Sequence, residues 1–197
     1  MKKILMVAVM AIVALTANAQ SNTMRDPGAI TIQPKVGMGF GMLSGTYDST
    51  GKDRKTRVGV VFGVEGEYYV NDWFGVALGM NYAQQGWKWK YSNGNKTTAK
   101  ADYFNVPITA NFYVLPGLAL KTGAQFGFLM NAKDDGVDMK SQCKKFNFSI
   151  PVGLSYEYMN VGLDARYNIS TTKINKDGSD KWRSDLIQIT VGYKFEL

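Results

Sequence analysis

Nine charged residues stand at positions where acid–base or ion-conducting chemistry could be built. Each occupies the polar parity of a segment in which apolar and polar residues alternate, so the nine would face the same way. Carboxylates among lysines could form a proton relay or a gated ion path, and the same residues also form structural ion pairs. Four basic and five acidic side chains favour mutual pairing over catalysis. The nine residues are Lys35, Glu65, Glu67, Lys121, Glu157, Asp164, Arg166, Lys194 and Glu196.

Composition excludes most familiar enzyme chemistry. The 197 residues include no histidine and a single cysteine, Cys143. A Cys/His zinc site, a Ser–His–Asp triad, a Cys–His nucleophile and a disulfide within the chain are therefore excluded. We expect no enzyme, no catalytic residues, no metal site and no cofactor.

The N-terminus has the organisation of a secretory signal peptide. Lys2 and Lys3 precede an apolar run over residues 4–16, and Ala17-Asn18-Ala19 forms a small-residue cleavage site. Cleavage is predicted between Ala19 and Gln20, which makes residues 1–19 the signal peptide and residues 20–29 an N-terminal segment. No later apolar run is long enough for a spanning helix, so an exported chain of this kind enters a membrane only as a closed barrel.

The elements that position these charges are strands. Period-two alternation recurs eight times between residues 30 and 197, with no competing helical pattern. Three connections are tight (71–73, 115–117, 159–160) and four are long and polar (43–56, 86–101, 132–145, 172–185). The pattern predicts an all-β fold: an eight-stranded antiparallel up-and-down transmembrane β-barrel over residues 30–197, with short periplasmic turns and long extracellular loops.

Alternation alone leaves two orientations open. A soluble, lipocalin-like barrel would hold the apolar residues inside, whereas a membrane barrel holds them outside. The position of the glycines favours the membrane barrel. In the narrow lumen of an eight-stranded barrel, small residues leave room for large side chains, whereas on a water-facing surface they only weaken the strand. The strand glycines on the polar parity are Gly37, Gly39, Gly41, Gly59, Gly63, Gly75, Gly79, Gly123, Gly127, Gly153, Gly162 and Gly192. We therefore expect the nine charged residues to fill the turn-side half of the lumen with an ion-pair network.

Aromatic residues concentrate at both ends of the predicted strands, as in the interfacial girdles of membrane barrels. Those near the turns are Tyr68, Trp73, Phe74, Phe112, Tyr156, Tyr158, Tyr193 and Phe195. Those near the loops are Tyr82, Trp87, Trp89, Phe104, Phe128 and Phe146.

Several of these motifs resemble the PorT-like outer-membrane β-barrel family, often labelled simply "porin family". They are Lys35 with Gly37, Gly39 and Gly41, then Tyr103 to Pro107, Gly123 with Gly127, Asp164 with Arg166 and Tyr167, and the closing Val191 to Phe195. The resemblance covers essentially all of the chain after the signal peptide. It implies the outer membrane of a Gram-negative-type cell and contact with the barrel-insertion machinery. It also implies an accessory role in a secretion or envelope-assembly machine.

The predicted loops are basic. They hold sixteen basic residues (52, 54, 55, 57, 88, 90, 96, 100, 133, 140, 144, 145, 173, 176, 181, 183) and nine acidic ones (48, 53, 102, 134, 135, 138, 177, 180, 185). Such a rim suits lipopolysaccharide phosphates or an acidic protein partner. No nucleic-acid partner is expected, because the run from Trp87 to Tyr91 is better explained as a girdle entering a loop. The sequence thus predicts a structural or interaction role, with a narrow pore for small ions or an accessory secretion component as alternatives.

Overall fold

The computed structural model describes residues 26–44, 52–91, 96–134, 137–140, 143–173 and 182–197. The predicted signal peptide and the Ala19–Gln20 bond lie outside these ranges. Among the described residues, no helix is long and apolar enough to cross a membrane. Every regular element is a strand: β1 Ile30–Ser44, β2 Lys52–Asn71, β3 Phe74–Tyr91, β4 Lys96–Leu115, β5 Leu118–Asp134, β6 Val137–Asp138, β7 Phe146–Tyr158, β8 Val161–Ser170, β9 Arg183–Tyr193 and β10 Phe195–Glu196.

The strands form a closed antiparallel ring. Sequential neighbours pair from β1 to β5, then β5 with β7, β7 with β8 and β8 with β9. Pairing of β1 with β9, from Lys35 opposite Gly192 to Ser44 opposite Arg183, closes the ring. The two-residue β6 extends the edge of β5, and β10 continues β9 beyond Lys194. The prediction of an all-β, eight-stranded antiparallel barrel is confirmed.

Tight turns join the strands at one rim. Asn71 Oδ1 accepts a hydrogen bond from the Trp73 backbone N at 3.1 Å in the first turn. The third turn places Met159 and Asn160 at φ 47° and 64°, the left-handed pair that a two-residue hairpin requires. The turns at residues 71–73, 115–117 and 159–160 therefore lie where the sequence predicted them.

Apolar residues face outward and polar residues inward. Leu78 is 58% exposed, whereas its neighbour Ala77 is 1% exposed. A Cβ added to Gly39 would lie 2.9 Å from the buried Leu186 side chain, and one added to Gly75 would lie 2.7 Å from Glu67 Oε1. Glycine therefore faces the lumen, as predicted.

The loop-side ends of four strands differ from the prediction. β2 to β5 have 17 to 20 residues, well above the roughly 9–11 that a tilted strand needs to cross a bilayer. β3 continues to Tyr91 and β4 begins at Lys96, so most of the predicted loop 86–101 is sheet. The regular alternation ends earlier because bulges interrupt it, and the sequence pattern marked these bulges as strand ends.

The girdle prediction was wrong for two residues. Trp87 is 8% exposed because the chain passes through Gly86 at φ 131°, which turns the indole toward Leu43 and Ala99. Tyr193 is 2% exposed, and its ring lies 4.7 Å from that of Phe195 where β9 breaks at Lys194. The Trp89 side chain lies outside the described residues. The remaining members are exposed or half-exposed: Tyr68, Trp73, Phe74, Phe112, Tyr156, Tyr158, Phe195, Tyr82, Phe104, Phe128 and Phe146. Their membership of lipid-interface girdles stays a prediction.

Candidate functional site

Glu65 is the centre of the charged lumen. Its carboxylate lies 2.6 Å from Lys35 Nζ, 2.5 Å from Lys121 Nζ and 3.1 Å from Arg166 Nη2. Asp164 joins the same group, 3.1 Å from Lys121 Nζ and 2.7 Å from Arg166 Nη2. We call these five residues the Glu65 cluster, and all of them are buried.

The strands that supply the Glu65 cluster decide what it does to the lumen. Glu65 is on β2 and Lys121 on β5, with β3 and β4 between them in the ring. Arg166 reaches Glu65 from β8, on the other side of the ring closure. The ion pairs of Glu65 with Lys121 and with Arg166 therefore cross the interior between strands that are not neighbours. In an eight-stranded barrel, side chains placed in this way fill the lumen.

A second group lies nearer the turns. Lys194 Nζ is 2.8 Å from Glu67 Oε2 and 3.0 Å from Glu157 Oε2. It also donates to the hydroxyl of Tyr69 at 2.7 Å, and the Tyr113 hydroxyl donates to Glu67 Oε1 at 2.7 Å. We call Glu67, Glu157, Lys194, Tyr69 and Tyr113 the Glu67 cluster.

Charge balances across the two clusters together. The Glu65 cluster holds three cations and two anions, and the Glu67 cluster holds one cation and two anions, so four positive charges meet four negative ones. Glu196 was predicted to be the ninth member, and this was wrong because its residue is exposed. β10 pairs Glu196 with Thr31 at the turn-side rim, below the buried groups. Balance is expected, since an uncompensated buried charge is strongly destabilising.

A layer of amides covers the charges. Asn105 Nδ2 donates to Asn81 Oδ1 at 3.1 Å, and Asn168 Nδ2 donates to Gln188 Oε1 at 3.3 Å. All four side chains are buried.

The loop-side mouth is apolar, which the sequence analysis did not predict. Val61, Ala83 and Leu186 form one buried cluster. Above them lie two further clusters, both packed against Cys143. Their members are Leu43, Trp87, Ala99 and Trp182 in one, and Ala101, Tyr103, Leu129 and Ala132 in the other. One signal was present in the sequence, because Val61 is apolar on the otherwise polar parity of its strand.

Three residues counted among the loop charges belong to the interior instead. Asp102 and Asp185 are buried, at 6% and 5% exposed. Arg57 pairs with Asp102 at 3.4 Å, and Asp185 accepts hydrogen bonds from the Ser170 backbone N at 2.9 Å and the Tyr167 hydroxyl at 3.0 Å. The described surface of the rim therefore carries less acid than the sequence count indicates.

Cations dominate that surface. Lys100 on β4 lies directly opposite Lys133 on β5, and both side chains are exposed. On its other side Lys100 faces Gly86, which has no side chain to offer. Further exposed basic residues are Lys55, Lys145, Lys173 and Arg183. Within the described residues, no group of three or more histidine, cysteine, aspartate or glutamate side chains is placed to hold a metal ion.

Comparisons with known proteins agree with this architecture. The family model described as "outer membrane protein beta-barrel domain" matches residues 18–176. A search of curated proteins found no match. Among solved structures, Neisserial surface protein A is 20% identical with a TM-score of 0.53, covering 85% of this chain and 99% of its own. OprG from Pseudomonas aeruginosa is 15% identical with a TM-score of 0.51, covering 89% and 99%. Ail of Yersinia pestis, in complex with the heparin analogue sucrose octasulfate, is 18% identical with a TM-score of 0.52, covering 86% and 99%. At these identities the structural likeness shows the fold.

Proposed function

Because the chain belongs to the outer membrane protein beta-barrel domain family, we propose that it is a closed, non-conducting barrel whose basic rim binds an anionic partner. Lipopolysaccharide phosphate is the partner we favour. Export through the predicted signal peptide and delivery by the barrel-insertion machinery are part of this proposal. The observation that carries it is the set of ion pairs that cross the interior around Glu65, beneath an apolar mouth.

Because the lumen is blocked, we place the function of the protein at the surface of the barrel. With Glu65 tied to side chains from three strands, a solute path through the lumen would need several buried ion pairs to separate. Separating such pairs in a low-dielectric interior is strongly unfavourable. The narrow-pore alternative therefore has no support from the lumen geometry, and an interaction role is favoured.

The Lys100–Lys133 pair supports the choice of an anionic partner. Like charges placed directly opposite one another across two strands repel and destabilise the pairing. Neither ammonium forms an ion pair among the described residues, although Lys133 also lies opposite Asp138 of β6. The nearest acid along β4, Asp102, is already engaged by Arg57 and Asn131. A phosphate between the two lysines would relieve the repulsion with charge-assisted hydrogen bonds.

The height of these lysines suits a lipid headgroup. Phe104 on β4 and Met130 on β5 are the last outward apolar residues before Lys100 and Lys133. Basic residues just beyond an apolar belt lie at the level of anionic headgroups. The Ail complex contains a sulfated saccharide analogue, so a sulfated polysaccharide is the competing anion for this chain.

Lipid-dependent stability tests the proposal. The heat-unfolding midpoint of the full protein would be compared in nanodiscs containing lipopolysaccharide with intact lipid A phosphates or with dephosphorylated lipid A. We expect a higher midpoint with phosphates for the wild type and loss of that increment in Lys100→Gln/Lys133→Gln. Lys145→Gln/Lys173→Gln removes equal charge elsewhere and is the matched control.

The outcome is informative in both directions. Without phosphates, the Lys100→Gln/Lys133→Gln variant should be at least as stable as the wild type, because the like-charge repulsion is gone. A wild-type midpoint that is unchanged by lipid phosphate but rises with sucrose octasulfate would favour a sulfated polysaccharide as the partner. A midpoint that is unchanged by both would contradict the proposal of an anionic partner.

The remaining alternative is an accessory role in secretion or envelope assembly. It depends on the finer resemblance to the PorT-like group, which is narrower than the family match. Photo-crosslinking from Lys145 and Lys173 positions in intact cells would identify such a protein partner.

A further inference from the structure

Irregularities of four adjacent strands fall in a single row around the loop-side mouth. The β2–β3 register shifts between Thr56 and Val61, and on β3 Gly86 has φ 131°. The β4–β5 register shifts between Asp102 and Tyr103, beside Asn131. Bulges bend the strand that carries them and interrupt its ladder hydrogen bonds. We call this line, from β2 to β5, the bulge row.

A four-stranded sheet extends beyond the bulge row, and we call it the flap. It consists of residues 52–56, 87–91, 96–101 and 132–134, which pair with one another in sequence around the sheet. Of the flanking strands, only the two-residue β6 accompanies it, paired with residues 133–134 of β5. β1 pairs with β2 only as far as Gly41 opposite Arg57, and β5 pairs with β7 only as far as Phe128 opposite Phe146.

The inner face of the flap covers the mouth of the barrel. Trp87 and Ala99 of the flap form a buried cluster with Leu43, which belongs to β1, the neighbour of β2 in the ring. Ala101 and Ala132 pack on Tyr103 and Leu129 just below the row. The flap therefore leans inward at the bulge row and buries apolar surface over the amide layer.

One polar seam joins the strands along the row. Arg57 on β2 donates to the Gln85 backbone carbonyl of β3 and lies 3.4 Å from Asp102 Oδ1 of β4. Asn131 on β5 donates to Asp102 Oδ2 at 3.2 Å. The side chains of Arg57 and Asp102 are only 12% and 9% exposed. Asp102 thus receives donors from both sides at the level where the β2–β3 and β4–β5 ladders shift register, while the β3–β4 ladder runs through without a shift.

We propose that the bulge row is a hinge, that the flap closes the loop-side mouth, and that the Arg57–Asp102–Asn131 seam is the latch holding it shut. Opening would separate Ala99 from Leu43 and expose the amide layer, while the Glu65 cluster below would still block the lumen. The inference concerns the mouth and does not depend on what the outer lysines bind.

A cysteine introduced on the inner face of the flap measures how often the flap opens. Ala99→Cys in a Cys143→Ser background gives a single thiol on the inner face, where Ala99 is 6% exposed. Alkylation of such a thiol by a water-soluble maleimide follows local opening. In the folded full-length protein we expect Asp102→Asn to raise the alkylation rate about tenfold, equivalent to ~1.4 kcal/mol of opening free energy. Lys173→Gln, a single charge change at an exposed position outside the flap, should leave the rate unchanged.

Retained SDS resistance would show that each variant has a folded barrel. Asn131→Ala removes one donor to Asp102 without stranding a charge, so it provides a milder variant with a smaller increase expected. Leu43→Cys paired with Ala99→Cys should form a disulfide that returns hydrogen exchange of the flap amides in Asp102→Asn to the wild-type rate. Wild-type alkylation rates in folded Asp102→Asn and Asn131→Ala proteins would overturn the latch. An equal increase in Lys173→Gln would show that general loosening, and no hinge, is responsible.

Discussion

Arg166 and Asp164, two residues apart on β8, form a forked ion pair inside the barrel. Arg166 Nε lies 3.1 Å from Asp164 Oδ1, and Nη2 lies 2.7 Å from Oδ2. Residues at i and i+2 on a strand point to the same face, so the strand itself brings the two together. Nη2 also reaches Glu65 Oε2 of β2 at 3.1 Å. The local pair therefore anchors a contact that crosses the ring.

Removing this anchor should destabilise the barrel. Arg166→Ala leaves Asp164 without its forked partner and gives the two buried clusters a net negative charge. Breaking a buried pair in this way costs about 3–5 kcal/mol. The free energy of unfolding in urea, followed by tryptophan fluorescence in lipid vesicles, measures the loss. Lys173→Ala, at an exposed position after β8, should change it little. Equal stabilities of the two variants would show that the network contributes nothing.

The wild-type protein should give no steady conductance in planar lipid bilayers. Ion pairs from β1, β5 and β8 converge on Glu65, and an apolar cluster lies above the amide layer. Arg166→Ala should admit intermittent current if it inserts. Stable, reproducible channels formed by the wild-type protein would contradict the plugged lumen and make a narrow pore the favoured function.

Charge on the outward face should be costly at mid-height. Leu78 and Val152 are 58% and 48% exposed on that face, and arginine at either position should cost about 2–4 kcal/mol near the bilayer midplane. Ser155→Asn, on the inward face, is the matched polar change and should cost less. Folding yields in lipid vesicles provide the comparison. Normal insertion of Leu78→Arg together with failure of Ser155→Asn would show that the faces are reversed.

The folded protein should resist SDS until it is boiled, and its electrophoretic mobility should then shift. β1 and β9 pair over ten residues, so the closed ring presents no edge at which unfolding begins. A gel of heated and unheated samples tests this directly. Extraction as a soluble periplasmic protein with no mobility shift would favour the lipocalin-like orientation instead.

The sequence predicts the parts of this fold in which period two is unbroken. Lys35, Glu65 and Lys121 fall on the inward parity of regular strands, and all three are buried in one cluster. Turn positions follow from local residue preferences, as at Met159–Asn160. Neither inference needed knowledge of the neighbouring strands.

Parity fails where the backbone departs from regular strand geometry. Trp87 follows the left-handed Gly86 and lies on a different side from the one that alternation assigns. Glu196 keeps its inward parity opposite the buried Thr31, but it lies at the turn-side rim and is therefore exposed. Asp102 was missed because its partner Arg57 is 45 residues away on β2, beyond β3, and the β2–β3 ladder between them shifts register. Two prolines show the opposite case, because a residue that suggests an irregular strand leaves the register unchanged. Pro107 and Pro151 lie within gaps in the β3–β4 and β5–β7 ladders, yet the register resumes unshifted beyond each gap.

Pairing of β1 with β9 has a consequence for biogenesis. The two strands lie at opposite ends of the barrel sequence, so the ring closes only after the last strand has been delivered. Until then the growing sheet has two open edges and an outward apolar face, which are the features that promote aggregation. Closure is also the contact of greatest sequence separation in the sheet and has the largest loop-closure entropy to overcome. We therefore expect this topology to need an escort that shields the unfolded chain until it reaches a membrane.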